Sequence, residues 1–350
     1  MPQEFQTLAQ LLSHGFDTVI DVRSPAEFAE DHIPGAINLP AMSNEERAIV
    51  GTIYKQVSPF EAKKKGAAIL ARNTARHLDE SLSHHDGAWR PLVYCWRGGQ
   101  RSGSVTIILK QIGWRADTIA GGYQTFRRLV YAAMYEADVP HRFILLDGNT
   151  GSAKTEVLNR LPDLGLQILD LEGLARHRGS MLGAMAGGQP SQKAFETALA
   201  CALAQMDPAR PVVVEAESSK IGKLIVPPSV WKAMCAAPRI DISVPLEARV
   251  TFLNAAYRDI IDDPERLKAR LQPLRFHRSH AVVDQWEAMI AEQDHHGLAR
   301  SLILDHYDPA YEKSRSVHAP QVIATVRSST LDTAGQDDLA AQVARVINGL

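Results

Sequence analysis

Cysteine is scarce in this 350-residue chain, which has only Cys95, Cys201 and Cys235. Three scattered thiols exclude a disulfide framework or a cysteine-built zinc site, so no metal centre is expected. They point to a reducing compartment, where each thiol is a packing residue or a reactive one. An excess of charge of one sign is missing too. The 38 Lys and Arg residues against 40 Asp and Glu leave a formal charge of -2. That balance gives no bulk attraction for nucleic acid or membranes, and any such contact falls to a local basic surface. No apolar run reaches the roughly 18 residues needed to span a bilayer, so no membrane partner is expected. The opening MPQEFQTLAQLLSHGF lacks a basic stretch followed by an apolar core of about 7–15 residues, so it does not read as a signal peptide. It reads as the first helix of a domain, with the cytoplasm as the expected location. Internal repeats and low-complexity tracts are absent, and 45% apolar with 22% charged residues excludes disordered, collagen-like and coiled-coil classes.

What is present divides into two α/β halves. At roughly 100–200 residues per domain the length fits two domains. AAMYEADVPHR leaves a helical pattern, passes a proline and enters the apolar run FILLDGNT, which places a boundary between domains 1–138 and 139–350. Before it, DTVIDV, GAINLP and PLVYCW read as strands alternating with the helix-like SPAEFAEDH and SGSVTIILKQIGW, the pattern of a largely parallel sheet. After it, FILLDG, LQILDLEG, RPVVVEAES and RIDISVPL read as strands. Residues 247–306 carry helical patterning and few strand signals, and predict an added helical region. The last forty residues carry no legible signal.

In the first half, VYCWRGGQRSGSVTIIL carries the chemistry. An apolar strand delivers Cys95 into the loop Trp96, Arg97, Gly98, Gly99, Gln100, Arg101, which runs into a helix near Arg101 or Ser102. Backbone N–H groups and a helix N-terminus then face the sulfur, and with Arg97 and Arg101 they favour thiolate and receive an anion. An inert strand-end cysteine is the competing reading. Cys201 and Cys235 lack basic or glycine-rich neighbours and read as packing residues.

The second half has its own anion loop, FILLDGNTGSAKTEVLNRL. A strand ends at Asp147, the loop Gly148, Asn149, Thr150, Gly151, Ser152, Ala153 follows, and Lys154 and Thr155 open a helix. This is the order of a phosphate-binding P-loop, in which N–H groups cradle phosphate, lysine reaches a terminal phosphate and the threonine hydroxyl can meet magnesium. Ala153 replaces the usual glycine before the lysine, where a Cβ costs about 1 kcal/mol if the backbone is strained. Glu215, at the end of PVVVEAES, reads either as a weak site residue orienting magnesium or water or as a solvated strand terminus. Arg176 and Arg178 lie in a substrate loop or in a basic surface turn.

The stretches IDVRSPAEFAEDHIPGAINLP and TIAGGYQTFRRL resemble the start and close of a rhodanese domain. That resemblance implies that Cys95 carries sulfur or selenium, with Asp21 and Arg23 as support. The Cys-x5-Arg spacing is one residue longer than usual in rhodaneses and matches phosphatase loops, which suits a larger or tetrahedral anion, but Tyr94 stands where tyrosine phosphatases usually have histidine. Together with QVSPFEAKKKGA, GNTGSAKT, DLEGLARHRGS, VEAESSKIGKLIVP and HYDPAY, these motifs make the chain resemble the bacterial tRNA 2-selenouridine synthases. The resemblance implies an α/β rhodanese-like domain joined to a P-loop NTPase-like domain. It implies a selenotransferase that replaces sulfur by selenium in wobble 2-thiouridine of tRNA, with selenophosphate as donor. It also implies tRNA geranyltransferase activity, with an S-geranylated intermediate made from geranyl diphosphate. No tightly bound cofactor is expected beyond magnesium at the P-loop, and the expected partners are tRNA and the selenophosphate-producing enzyme. A nucleotide-dependent kinase or ATPase with a regulatory rhodanese module, and a sulfur-binding adaptor, are the competing readings. Candidate tRNA contacts are Lys63–Lys65, Arg127–Arg128, Arg176 to Arg178, and the set Arg275, His277 and Arg278.

Overall fold

The computed structural model describes residues 2–276, 278–318 and 321–350, so His277 lies outside the described residues. By packing, the chain forms two units, Met1–Ala137 with Pro190–Gln205, and Asp138–Gln189 with Met206–Leu350.

In the first unit, β1 (Thr18–Asp21), β2 (Ile37–Asn38), β3 (Pro91–Tyr94) and β4 (Asp117–Thr118) form a parallel sheet in the order β2-β1-β3-β4. The central strands VID and PLVY are buried along their length, as expected of parallel strands covered by helices on both faces. Those helices are α1 (Leu8–Leu12), α2 (Pro25–Glu30), α3 (Asn44–Gln56), α4 (Pro59–Glu80), α5 (Gln100–Ile112) and α6 (Tyr123–Tyr131). Ser43 and Glu46 close a capping box on α3, and Ser58 caps α4 ahead of Pro59; both use the orphan N–H groups of a first turn. Ile20, Val22, Val93, Val105, Leu109, Trp89 and Trp114 pack into one core that also holds Cys95. The opening segment is less helical than its sequence suggests, since α1 is one short turn and Gln3 instead bridges to Ile119 beside the sheet.

The second unit places β5 (Phe143–Gly148) at the centre of a five-stranded sheet. It is followed by α7 (Lys154–Leu158), β6 (Gln167–Leu169) and α8 (Leu171–Ala175). The chain then enters α9 (Gln192–Ala204), which belongs to the first unit, before returning through β7 (Val212–Glu215). This corrects the single cut at residue 138. Phe195, Leu199 and Leu203 are buried on α9, and its Thr197 and Glu196 bond to Asp31 and Arg127 of the first unit. An Ala/Leu-rich pattern says that a helix is buried but not on which body.

The hairpin β8 (Lys220–Ile221) and β9 (Leu224–Ile225) leads to α10 (Pro228–Ala236) and β10 (Arg239–Ser243). A helical stretch follows, comprising α11 (Leu246–Ala256), α12 (Arg258–Ile261), α13 (Pro264–Leu271), α14 (His280–Ala291), α15 (His295–Leu302) and α16 (Asp308–His318). Trp286, Leu267, Leu271, Ile290 and Leu298 give it a core of its own. The C-terminal residues are structured too. β11 (Val322–Arg327) pairs with β10 to complete the order β11-β10-β5-β7-β6, and α17 (Thr333–Asn348) sets Leu339, Val343 and Ile347 against Ile144, Leu146 and Val157. That spacing of four residues is the mark of an amphipathic helix, so the expectation of a featureless C-terminal segment is corrected.

Phe195→Ala, at a fully buried site, is expected to cost about 3–5 kcal/mol. Hydrogen exchange should quicken in the β1 and β3 segments. Quickening confined to β5 and β7 would show that α9 stabilises the other body.

Candidate functional site

β3 ends inside the first core, so Cys95 leaves it almost wholly buried, at 3% exposure. The loop then turns sharply. Gly98 has φ +64, and a Cβ there would lie 2.5 Å from the Ile119 carbonyl oxygen, so only glycine fits. Beyond it α5 starts at Gln100. The Ser102 hydroxyl donates to Cys95 Sγ at 3.2 Å. Burial pushes the thiol pKa up, but the Ser102 hydroxyl and N–H, the Arg101 charge and the Gly99 N–H outweigh it, and the net shift is downward. Trp96 stacks obliquely on Tyr123 at 5.2 Å, while Arg97, Gly99 and Gln100 are exposed. Arg101 reaches Glu27 at 3.5 Å, so its charge reaches the thiol while its guanidinium is partly held by a carboxylate.

A buried polar network holds this loop from below. The Tyr123 N–H donates to the Cys95 carbonyl at 2.8 Å, and the Gln124 N–H to that of Trp96 at 3.0 Å. The Arg23 guanidinium lies 3.9 Å over the Tyr123 ring and pairs with Asp21 at 2.7 Å, the two side chains being 1% and 0% exposed. The Tyr123 hydroxyl donates to Asp31 Oδ2 at 2.7 Å, and Thr197 of α9 donates to the same oxygen at 3.0 Å. Arg23 therefore acts on the loop through Tyr123, and Asp21 acts through Arg23. Tyr123, Asp31 and Thr197 went unread in the sequence because nothing local to them signals a site.

In the second unit β5 is buried throughout and ends at a turn where Gly148 and Gly151 have φ +153 and +82. Ala153 is left-handed at φ 58, ψ 33, a conformation that costs a residue with a Cβ roughly 1 kcal/mol. The strain foreseen at the missing glycine is thus present. Lys154 Nζ donates to the Gly148 carbonyl at 2.7 Å, lying across the loop. Thr155 Oγ1 donates to Glu172 at 3.1 Å. Ser152 Oγ is buried with no hydrogen-bond partner among the described residues. Arg249, 5% exposed, donates to the Thr150 carbonyl at 2.9 Å and pairs with Asp308 at 2.6 Å. Asp147 is clamped by Arg239 at 2.9 Å and by the Tyr311 hydroxyl. HYDPAY therefore buttresses the phosphate loop through Asp308 and Tyr311.

Beside Lys154 and Thr155 a pocket of about 840 Å³ holds Glu172 and Glu217. Glu215 is 1% exposed, so it is not a solvated strand end, and its Oε2 accepts the Glu172 N–H at 3.3 Å. Burial first, then repulsion from neighbouring carboxylates (Glu215 and Glu217 on Glu172, Asp170 on Glu215), drives the pKa of Glu172 and Glu215 well above the carboxylate range, and burial raises Glu217 as well. Glu215 Oε1 has no hydrogen-bond partner among the described residues. These oxygens can share protons or accept a hard cation, although no cluster of three or more His, Cys, Asp or Glu suited to a metal is present among the described residues.

The family model described as the tRNA 2-selenouridine synthase AAA domain matches residues 141–264, and that of the Rhodanese-like domain matches residues 4–129. Curated relatives named tRNA 2-selenouridine synthase align with most of the chain. The one from Hahella chejuensis is 33% identical over 84% of this chain and 84% of its own length. Those from Chromohalobacter salexigens and Alcanivorax borkumensis are 35% and 32% identical, covering 84% and 87% of this chain and 86% and 91% of theirs. This chain belongs to the tRNA 2-selenouridine synthase family. The Rhodanese-like match lies within the first unit, and the AAA match begins with β5 of the second.

The remaining sequence candidates separate by their partners. Arg178 pairs with Asp259 at 3.0 Å, Arg176 is exposed in a left-handed turn, and His177 between them is buried, so this stretch is not a simple basic surface turn. Arg127 is paired with Glu196 on α9. Arg275 bonds to Asp284 and Glu287, and Arg278 to the His306 carbonyl. In the lysine run Lys64 pairs with Glu61, and Lys63 and Lys65 are exposed. Cys201 is buried with its pKa pushed up to about 12, and that of Cys235 is also raised, which leaves Cys95 as the thiol with the depressed pKa.

Cys95 should be alkylated by iodoacetamide with a pH midpoint below that of an ordinary cysteine, and Ser102→Ala should raise it. An unchanged midpoint would remove Ser102 from the site. In the AAA domain, carboxyl pKa values raised in the folded state mean that the folded chain keeps protons which the unfolded chain releases. The stability they add is complete below the ordinary carboxylate range and is lost as pH rises through the folded values. Calorimetry from about pH 5 to about pH 9 should show a falling midpoint for this domain, and Glu172→Gln should shallow the fall. A midpoint rising with pH would contradict it.

Proposed function

We propose that this chain replaces the 2-thio sulfur of wobble uridine in tRNA by selenium, the activity for which its relatives are named, with selenophosphate as donor. The observation that carries the reading is Cys95, a buried thiol of depressed pKa in a glycine-turned loop at the start of α5, beside the exposed Arg97. Such a loop receives an anion and accepts or positions selenium. The sulfur of 2-thiouridine is a poor leaving group, so a preceding S-alkylation is chemically useful. The sulfur attacks C1 of geranyl diphosphate, a C–S bond forms, and the C–O bond breaks to release diphosphate. Selenium of the donor then attacks C2, geranylthiolate leaves, and water cleaves the phosphorus–selenium bond to give phosphate.

Two observations in the AAA domain support a prenyl diphosphate. The phosphate loop with Lys154 and the orphaned Ser152 hydroxyl suits the diphosphate. An apolar cavity of about 50 Å³ lined by Leu182, Ile260, Leu298 and Leu302 shares Thr150, Leu253, Tyr257 and Tyr307 with the phosphate-loop pocket; it offers apolar contact beside the loop and would have to widen to take the whole chain. Magnesium, when bound, would be held by the Thr155 hydroxyl and the oxygens of the diphosphate itself, and would neutralise part of the diphosphate charge. A selenophosphate-producing enzyme is the partner that would supply the donor. Nucleotide hydrolysis is the reading that buried Glu215 beside the loop favours second.

Cys95→Ser is expected to abolish selenouridine in tRNA, measured by nucleoside mass spectrometry, while tRNA binding persists. Normal selenouridine would end the role of Cys95. Lys154→Ala is expected to lower S-geranyl product at least tenfold. ATP hydrolysis lost in Lys154→Ala and indifferent to tRNA would favour the second reading instead.

A further inference from the structure

The α3–α4 pair enters between β2 and β3 and exposes aromatic and apolar side chains among cations. Ile49, Tyr54, Val57 and Phe60 are 52%, 57%, 71% and 69% exposed, with Lys55, Lys63 and Lys65 exposed beside them. A cleft of about 630 Å³ is lined by Arg47, Gly51, Tyr54 and Lys55 of α3 and by Arg101 of the Cys95 loop. The spacing of these α3 residues sets them on one helix face. Gly51 lies mid-face, and nothing lies within 4 Å of where its Cβ would stand, so the helix surface there is bare and can be approached by a flat ring. Arg47 and Arg101 meet the same carboxylate, Glu27, at 3.0 and 3.5 Å, which holds two cations at the end of the cleft next to the cysteine loop.

We propose that this cleft binds an unpaired RNA nucleotide with its flanking phosphates and presents it to the Cys95 loop. The base stacks on Tyr54 over Gly51, while Arg47, Lys55 and Arg101 meet phosphate. The inference rests on the reading of tRNA as substrate and adds where and how it is gripped. A stacking aromatic among cations is how single strands are held, whereas a paired helix offers phosphates and leaves the ring unused. A protein docking on the same face is the outcome that the test separates.

Fluorescence anisotropy of the full chain with a labelled anticodon stem-loop, and with a fully paired hairpin of equal length, tests this. Gly51→Glu, whose side chain enters open space without backbone strain, is expected to weaken stem-loop binding at least tenfold with an unchanged thermal midpoint. Tyr54→Ala is expected to weaken the stem-loop about tenfold and the paired hairpin little. Stem-loop binding by Gly51→Glu equal to the parent overturns the cleft while the tRNA reading stands, as does equal weakening of both RNAs by Tyr54→Ala. A parent chain that binds neither RNA overturns the tRNA reading, and the cleft with it.

Discussion

The backbone of Gly122 lies against the Cys95 loop so closely that a Cβ there would sit 2.2 Å from the Cys95 carbonyl oxygen and 2.4 Å from the Gly98 nitrogen. That approach, at φ +58, is open only to glycine, and the rhodanese-like site follows from it. It brings the Tyr123 N–H onto the Cys95 carbonyl, which fixes where the strand ends and α5 begins, and so holds Ser102 at the sulfur. The Tyr123 side chain then becomes the contact between the loop and its polar base of Arg23, Asp21 and Asp31. A buried ion pair and a buried carboxylate add little net stability unless each charge is paired and hydrogen-bonded. Here Arg23 and Asp21 pair with each other and Asp31 accepts from two hydroxyls, and what they secure is the position of one backbone.

The two domains use the same strand-loop-helix recipe with opposite electrostatics. Around Cys95, N–H and hydroxyl donors with a nearby arginine offset burial and favour an anion on the protein. Around the phosphate loop, burial raises the pKa of three glutamates and disfavours their charged form, while Lys154 lies on the loop's own carbonyl. An incoming polyanion has to draw the lysine off that carbonyl, whereas a cation has to restore the charged form of the glutamates. The strained Ala153 and the clamps of Arg249 and Tyr311 keep the loop backbone in place through either exchange.

Much of this was legible in residue order because the recipes are local. Glycines next to a strand end, a Lys-Thr pair opening a helix and alternating apolar runs each encode their own turn or strand, and the strands, Cys95 and the phosphate loop were all readable on that basis. Charge clusters were not. Arg127, Arg178 and Arg275 read as basic surface, but each is paired with a carboxylate from 9 to 81 positions away. Arg47 is paired as well, with Glu27, whereas Lys63 and Lys65 are left exposed. Asp308 and Tyr311 likewise have no local signature, since they act on the phosphate loop from more than 150 residues downstream.

By itself the sequence determined the two α/β sheets, the loop setting of Cys95 that the other two thiols lack, and the strand-loop-helix around Lys154 with its left-handed alanine, because hydrophobic periodicity and the need for positive φ act over a few residues. Tertiary structure decided the rest. It returned α9 to the first unit although its flanking residues belong to the second, set Tyr123, Asp31 and Thr197 beneath Cys95, brought Glu172 and Glu217 to one pocket with Glu215 buried beside Glu172, and left the α3 face open. Each of these depends on contacts between residues far apart in the chain, whose worth lies in burial and mutual charge, and neither exists until the chain is folded.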